Sequence, residues 1–257
     1  MRRVALFLLL GAGVLSGISG SSFGQDTGSE ELVTDRPDFT ESGVVVPRGS
    51  VQFEGGLTWE GGEDDIWMAS GPELLIRWGL TSRVELRIGL PDYAYLGNHE
   101  SQSGFGDGSL GTKLKFGPVA GGWDIASIVS VSIPNKGAEF SSDDWDPELI
   151  VAVGRDLIAD WSLGSQVSAV WTTSDGDREF VGGGTVVLGT SFGGRSVTGV
   201  FVEVAAVLPE EGTAPVFLHH GYTHLLAETL QLDLHGGFGL TGSAPDLFIG
   251  AGMSIRM

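Results

Sequence analysis

Along most of this chain apolar residues recur at every second position, in runs of about ten residues. No window of comparable length repeats with a helical period. Alternation of period two is the signature of strands that are apolar on one face and polar on the other. Val51, Phe53, Leu57 and Trp59 alternate with Gln52, Glu54, Gly56 and Thr58; Val84, Leu86, Ile88 and Leu90 alternate with Glu85, Arg87 and Gly89. Leu110, Leu114 and Phe116 oppose Gly111, Lys113 and Lys115, and the terminal Leu247, Ile249, Ala251, Met253 and Ile255 oppose Gly250, Gly252 and Ser254. Twelve such segments are expected, at 50–60, 66–78, 83–91, 105–117, 121–133, 146–156, 160–173, 179–192, 196–208, 214–226, 229–240 and 246–257.

The connections between them alternate in length. Gly79 to Ser82, Pro118 to Ala120, Leu157 to Ala159, Gly193 to Arg195 and Ala227 to Glu228 are short. Gly61 to Asp65, Pro91 to Gly104, Pro134 to Asp146, Ser174 to Asp177 and Pro209 to Thr213 are mostly longer and acidic. A soluble sandwich has no reason to keep such an order, whereas a transmembrane barrel has short periplasmic turns and longer outer loops. The expected fold is therefore all-β: an antiparallel up-and-down transmembrane barrel of about 12 strands. In a bilayer every backbone polar group must be paired internally, so the sheet has to close. Trp59, Trp78, Trp123, Trp161 and Trp171 fall near segment ends, where an interfacial girdle belongs.

Such a barrel inverts the usual burial rule, with apolar faces outward and polar faces toward the lumen. The pore-lining candidates are then Glu54, Glu73, Arg77, Glu85, Arg87, Lys113, Lys115, Asp124, Glu148, Glu203 and Asp233. Glu73, Arg77, Glu85 and Arg87 flank one short turn, so opposite charges are expected within cross-strand reach. They would form either a structural ladder or a constriction that sets a field across the pore. Acids outnumber bases in the inward set, which predicts a mild preference for cations.

Composition narrows the function classes. The chain carries 33 Asp and Glu against 14 Lys and Arg, a formal net charge of −19, which excludes a phosphate-tracking nucleic-acid binder. With no cysteine there is no disulfide, no thiolate metal centre and no cysteine nucleophile. Arg2 and Arg3 precede the apolar run from Val4 to Val14, followed by small residues as far as Gly24. This reads as a signal peptide over residues 1–24, too short for a transmembrane helix. Residues 25–49 are expected as a periplasmic segment able to fold inward as a partial plug, and 50–257 as the barrel. The expected location is the outer membrane of a Gram-negative-type bacterium, after export.

The segment Thr34, Asp35, Arg36, Pro37, Asp38 and onward to Ser42, then Val51 to Gly56, Pro72 to Leu80, Glu85 to Arg87, Gly104 to Asp107, Asp146 to Glu148 and Leu230 to Asp233, resembles the meta-pathway phenol-degradation transporter family of bacterial outer-membrane barrels. The resemblance runs from about Thr34 to the C-terminus, and the string Thr34 to Asp38 is its most specific part. It implies passive uptake of small solutes, aromatic compounds among them. The partners implied are those solutes, outer-membrane lipid and the outer-membrane assembly machinery, with no cofactor. The terminal Met257 departs from the aromatic residue with which such barrels usually end.

Other motifs carry less. Gly106 to Gly111 spells GxGxxG, but the strand Thr112 to Phe116 follows where a dinucleotide site needs a helix. Gly189 to Gly193 spells the GxSxG elbow around Ser191, again followed by a strand. A lipid hydrolase carried in a barrel would need Ser191 to approach a histidine, and a soluble β-sandwich would need a dry centre. His220 and His224 share one strand face about 13 Å apart, too far to ligate one ion together, with His219 on the other face. A rim or lumen role in hydrogen bonding is expected of the cluster. Asp143, Asp144, Asp146, Asp175 and Asp177 are expected as solvated acidic loops.

Overall fold

The computed structural model describes residues 32–62, 66–97, 101–158, 160–174, 176–193 and 197–257. The expected signal peptide, residues 25–31, Asp175 and Arg195 lie outside the described residues. Among the described residues there is no helix, and the strands join into one antiparallel sheet of twelve passes. These are β1 (Val51–Gly61), β2 (Trp67–Gly71 and Leu75–Gly79), β3 (Val84–Gly89 and Tyr93–Gly97), β4 (Gln102–Phe105 and Gly108–Lys115), β5 (Asp124–Ile133) and β6 (Pro147–Asp156). The second half comprises β7 (Trp161–Ser174), β8 (Asp177–Phe192), β9 (Thr198–Pro209), β10 (Val216–Ala227), β11 (Leu230–Gly239) and β12 (Leu247–Arg256). Each pass pairs with the next, and β1 pairs with β12 from Gln52↔Arg256 to Gly61↔Leu247, which closes the barrel.

Three passes are broken, each for a local reason. Proline cannot donate to a ladder, and Pro72 and Pro91 stand where β2 and β3 are interrupted. The break in β4 falls at Gly106 and Asp107. Pairing resumes beyond each break, so Trp67↔Gly97 and Tyr93↔Phe105 extend these passes. The long loop expected at Pro91 to Gly104 is therefore strand over Tyr93–Gly97 and again from Gln102. At the loop expected over Ser174 to Asp177, Ser174 and Asp177 themselves belong to β7 and β8. At the opposite end the turn around Pro118 is longer than expected and spans 116–123, pinned by the bridge Val119↔Trp123.

Val51 N–H donates to the Met257 carbonyl, so the first strand begins where the last one ends, at what is here called the base. The outward face is apolar: Leu57, Val129, Val167, Val186, Val204, Leu234 and Ile249 are all exposed. The inward face holds Gln52, Glu54, Arg77, Glu85, Lys113, Glu203 and His219, each 1% exposed or less. A water-soluble protein arranges these two classes the other way round; here the large apolar surface faces out as it does in a membrane barrel. Exposed aromatic residues collect near both ends, with Trp78, Phe116, Trp161 and Phe192 toward the base and Trp59, Tyr93, Phe105, Trp171 and Phe238 toward the mouth.

Candidate functional site

Residues 32–46 lie inside the barrel. From Thr34 to Gly43 every one is buried, Pro37 among them, although none belongs to a strand. The segment has no ladder of its own, so wall side chains take its backbone polar groups. Gln52 donates to the Val33 carbonyl, Glu54 accepts from Asp35 N–H, Glu203 from Phe39 N–H, Gln166 from Glu41 N–H and Glu85 from Val46 N–H. The path rises from the level of Gln52 near the base to Phe39 and returns past Asp124 to Gly49, whose N–H donates to the Gly79 carbonyl.

Asp35 is the centre of the densest charge cluster. Its carboxylate lies 3.0 Å from Arg77 Nη1 and 2.9 Å from Lys113 Nζ, and it also accepts from Arg87. Arg77 further reaches Glu54 at 2.7 Å and Glu85 at 2.8 Å, while Glu41 lies 2.9 Å from Arg87 and 3.1 Å from Lys113. Burial alone would raise the Asp35 carboxyl, but Arg77, Lys113 and Arg87 together hold it well below the usual carboxylate range. Three cations face four carboxylates here, so one carboxyl has no full partner. Burial, with Asp35 alongside, pushes Glu41 up to about 8 against the opposing pull of Arg87 and Lys113.

The cross-strand ladder expected among Glu73, Arg77, Glu85 and Arg87 is corrected in two respects. Arg77 and Arg87 are direct register partners, a like-charge pair, and Glu85 reaches both. Glu73 is not in the ladder, because it follows the Pro72 break with φ at +47° and turns toward the inserted segment. There it pairs with Arg36 Nη1, while Arg36 Nη2 lies 3.4 Å from Asp233. Arg36 fits because Gly56 and Gly252, register partners on the closing seam, leave it space. A Cβ on Gly56 would fall 2.2 Å from Arg36 Nη2, and one on Gly252 2.5 Å from Nε.

Phe39 caps the inserted segment. With Phe217, Phe248, Val181, Ala205 and Val207 it forms a buried apolar cluster, and its ring lies 4.3 Å from that of His219. Thr40 donates to Glu203 and contacts Thr185 through its hydroxyl. Glu203 also meets His219 Nδ1 at 2.8 Å, and His219 Nε2 meets His235 Nδ1 at 3.1 Å.

The remaining expected residues are spread out. Lys115 and Asp124 pair at 3.5 Å near the base, and Glu148 accepts from Ser130 on the neighbouring strand. Among the histidines, His219 faces the lumen, opposite to His220, and His224 bonds Thr198; the expectation is corrected for His220 alone, which with Tyr222 is exposed on the outward face of β10. No group of three His, Asp or Glu among the described residues converges on a metal position. Asp146 accepts from Thr173 and contacts Arg178, which ties the 134–146 loop to the wall. Gly108 to Lys115 is strand, as is Thr198 onward, so neither glycine motif opens a helix. Sequence reasoning passed over Glu41, Phe39 and Glu60; only the charge on Glu41 and the apolarity of Phe39 within a polar string signalled a buried role.

The family model described as "Putative MetA-pathway of phenol degradation" matches residues 34–257. Among solved structures, the COG4313 outer membrane channel from Pseudomonas putida F1 superposes with a TM-score of 0.59 at 15% identity, over 83% of this chain and 97% of that one. The NanC porin superposes with a TM-score of 0.54 at 8% identity, over 80% of this chain and 100% of that one. At these identities the likeness is one of fold. No match is found among the curated proteins.

Proposed function

The chain belongs to the family described as the MetA-pathway of phenol degradation, and from that membership and its occupied lumen we propose that it is an outer-membrane channel for passive passage of small solutes, aromatic compounds among them. The observation that carries the reading is the inversion of burial, with Arg77, Lys113, Glu54 and Glu85 sealed inside a wall whose outer face is Leu57, Val129, Val167 and Val204. Charge is costly in hydrocarbon and useful along a water-filled path. Residues 32–46 act as a plug that narrows that path, and solutes pass when it shifts. Lipid is the partner of the outer face, and the outer-membrane assembly machinery inserts the barrel after export of the precursor. This function asks no covalent chemistry of the chain.

Liposome swelling with small aromatic and aliphatic solutes tests the proposal. Vesicles carrying the full chain are expected to swell slowly, and those carrying Arg36→Ala faster, since the variant leaves Glu73 and Asp233 without their tether. No swelling by either protein, with the barrel shown to be folded, would overturn the reading.

A further inference from the structure

Alongside the plug, from the tier of Arg36 up to the mouth end of β1, the carboxylates are undercompensated. Glu60 points inward from the mouth end of β1, between Met68 and Phe248 in register, and is only 5% exposed. Its Oε2 has no hydrogen-bond partner, and neither do Glu73 Oε1, Asp92 Oδ1 or Asp233 Oδ2. Glu60, Asp92 and Asp233 each lie within electrostatic range of Glu73. Arg36 is the cation that serves this group, reaching Glu73 and Asp233 while its own Nε is left without a partner. Arg36 thus pairs with two of the four carboxylates and lies within electrostatic range of Asp92, Glu60 being farther off, and buried polar groups without partners are expensive to keep.

We infer that Glu60, Glu73, Asp92 and Asp233 form a binding site for a small organic cation with N–H donors, a guanidinium or a primary ammonium. Such a ligand supplies the missing positive charge and donates to the oxygens that lack partners. A metal ion suits the site poorly, since no three acidic or histidine side chains among the described residues come together as ligands. A flat guanidinium can donate to two separated carboxylates at once, as Arg36 already does. The entering cation competes with Arg36 for Glu73 and Asp233, so its binding loosens the plug. The inference gives the channel proposed above a solute class, and depends on that reading for transport but not for binding.

Titration calorimetry of the full chain, folded in detergent micelles, with methylguanidinium chloride as the probe, tests the site. The wild type is expected to bind saturably, and a Glu60→Gln, Asp92→Asn variant about tenfold or more weakly, which corresponds to one tenfold step of affinity. Heat-modifiable migration on a gel verifies the fold of each sample. Absent saturable binding by the wild type, equal affinity in the variant, or displacement of methylguanidinium by equimolar calcium would each overturn the inference. Binding without swelling would refute the channel and keep the site; swelling without binding would do the reverse.

Discussion

Asp35 and Arg77 meet at 3.0 Å inside the barrel with neither side chain exposed, one carried by the inserted segment and the other by the wall. Arg77 and Arg87 stand opposite each other across the β2–β3 ladder, and like charges so placed repel. The inserted carboxylate is therefore part of what makes the wall tolerable, and the wall is what makes a buried carboxylate tolerable. Removing one partner of a buried ion pair costs about 3–5 kcal/mol. Asp35→Asn is expected to weaken plug docking by that order and to expose residues 32–46 to limited proteolysis. Unchanged protection would show that docking does not depend on this charge.

Plug docking is expected to weaken in alkali. The Glu41 carboxyl, raised from an ordinary 4.5 to about 8 when docked, holds its proton better inside than outside. Its contribution is complete below 4.5, declines as pH climbs, and is gone above about 8. Conductance of the wild type should rise between pH 5 and pH 9, and Glu41→Gln should flatten the profile over that range. A wild-type profile as flat as the variant's would rule the mechanism out.

Gly56→Ala should act as a wedge. The added methyl meets Arg36 Nη2 at 2.2 Å and the Ala251 carbonyl at 2.7 Å. Overpacking of this kind typically costs about 1–3 kcal/mol. The guanidinium is the softer of the two neighbours, so the expected outcome is a barrel that still forms and swelling faster than wild type. Slower swelling would mean that Arg36 does not tether the plug.

Val204 lies mid-strand on the outer face, between Val186 and Leu218 in register. A lipid-facing arginine near the bilayer midplane costs roughly 2–4 kcal/mol. Val204→Arg is expected to lower unfolding stability in phospholipid vesicles by that amount. A cost near zero would mean that this face does not contact hydrocarbon.

The strand pattern was legible because the period-two signal is repeated in every pass, and the expected segments overlap all twelve. The expected segment 66–78 runs through Pro72 and covers both parts of β2; what was not legible was the continuation of β3 and β4 beyond their breaks. Pro91 looks like an end when read locally, and only pairing such as Trp67↔Gly97 carries β3 past it. The polar faces gave the inward residues but not their partners. Glu73 follows a strand break and Asp35 belongs to no strand, so no spacing rule relates them to Arg36 or Arg77. The histidine cluster was assigned a rim or lumen hydrogen-bonding role but no partners, because the contacts of His219 with Phe39, Glu203 and His235 come from three separate parts of the chain.

The inserted segment goes up and comes back by the same end: Val33 is held beside Gln52, and Gly49 beside Gly79. Within the described residues it is a bight, with both limbs at the base. A bight can be drawn out and pushed back with the β1–β12 seam intact, and the stopper can cycle many times within one molecule without any unfolding of the cylinder around it.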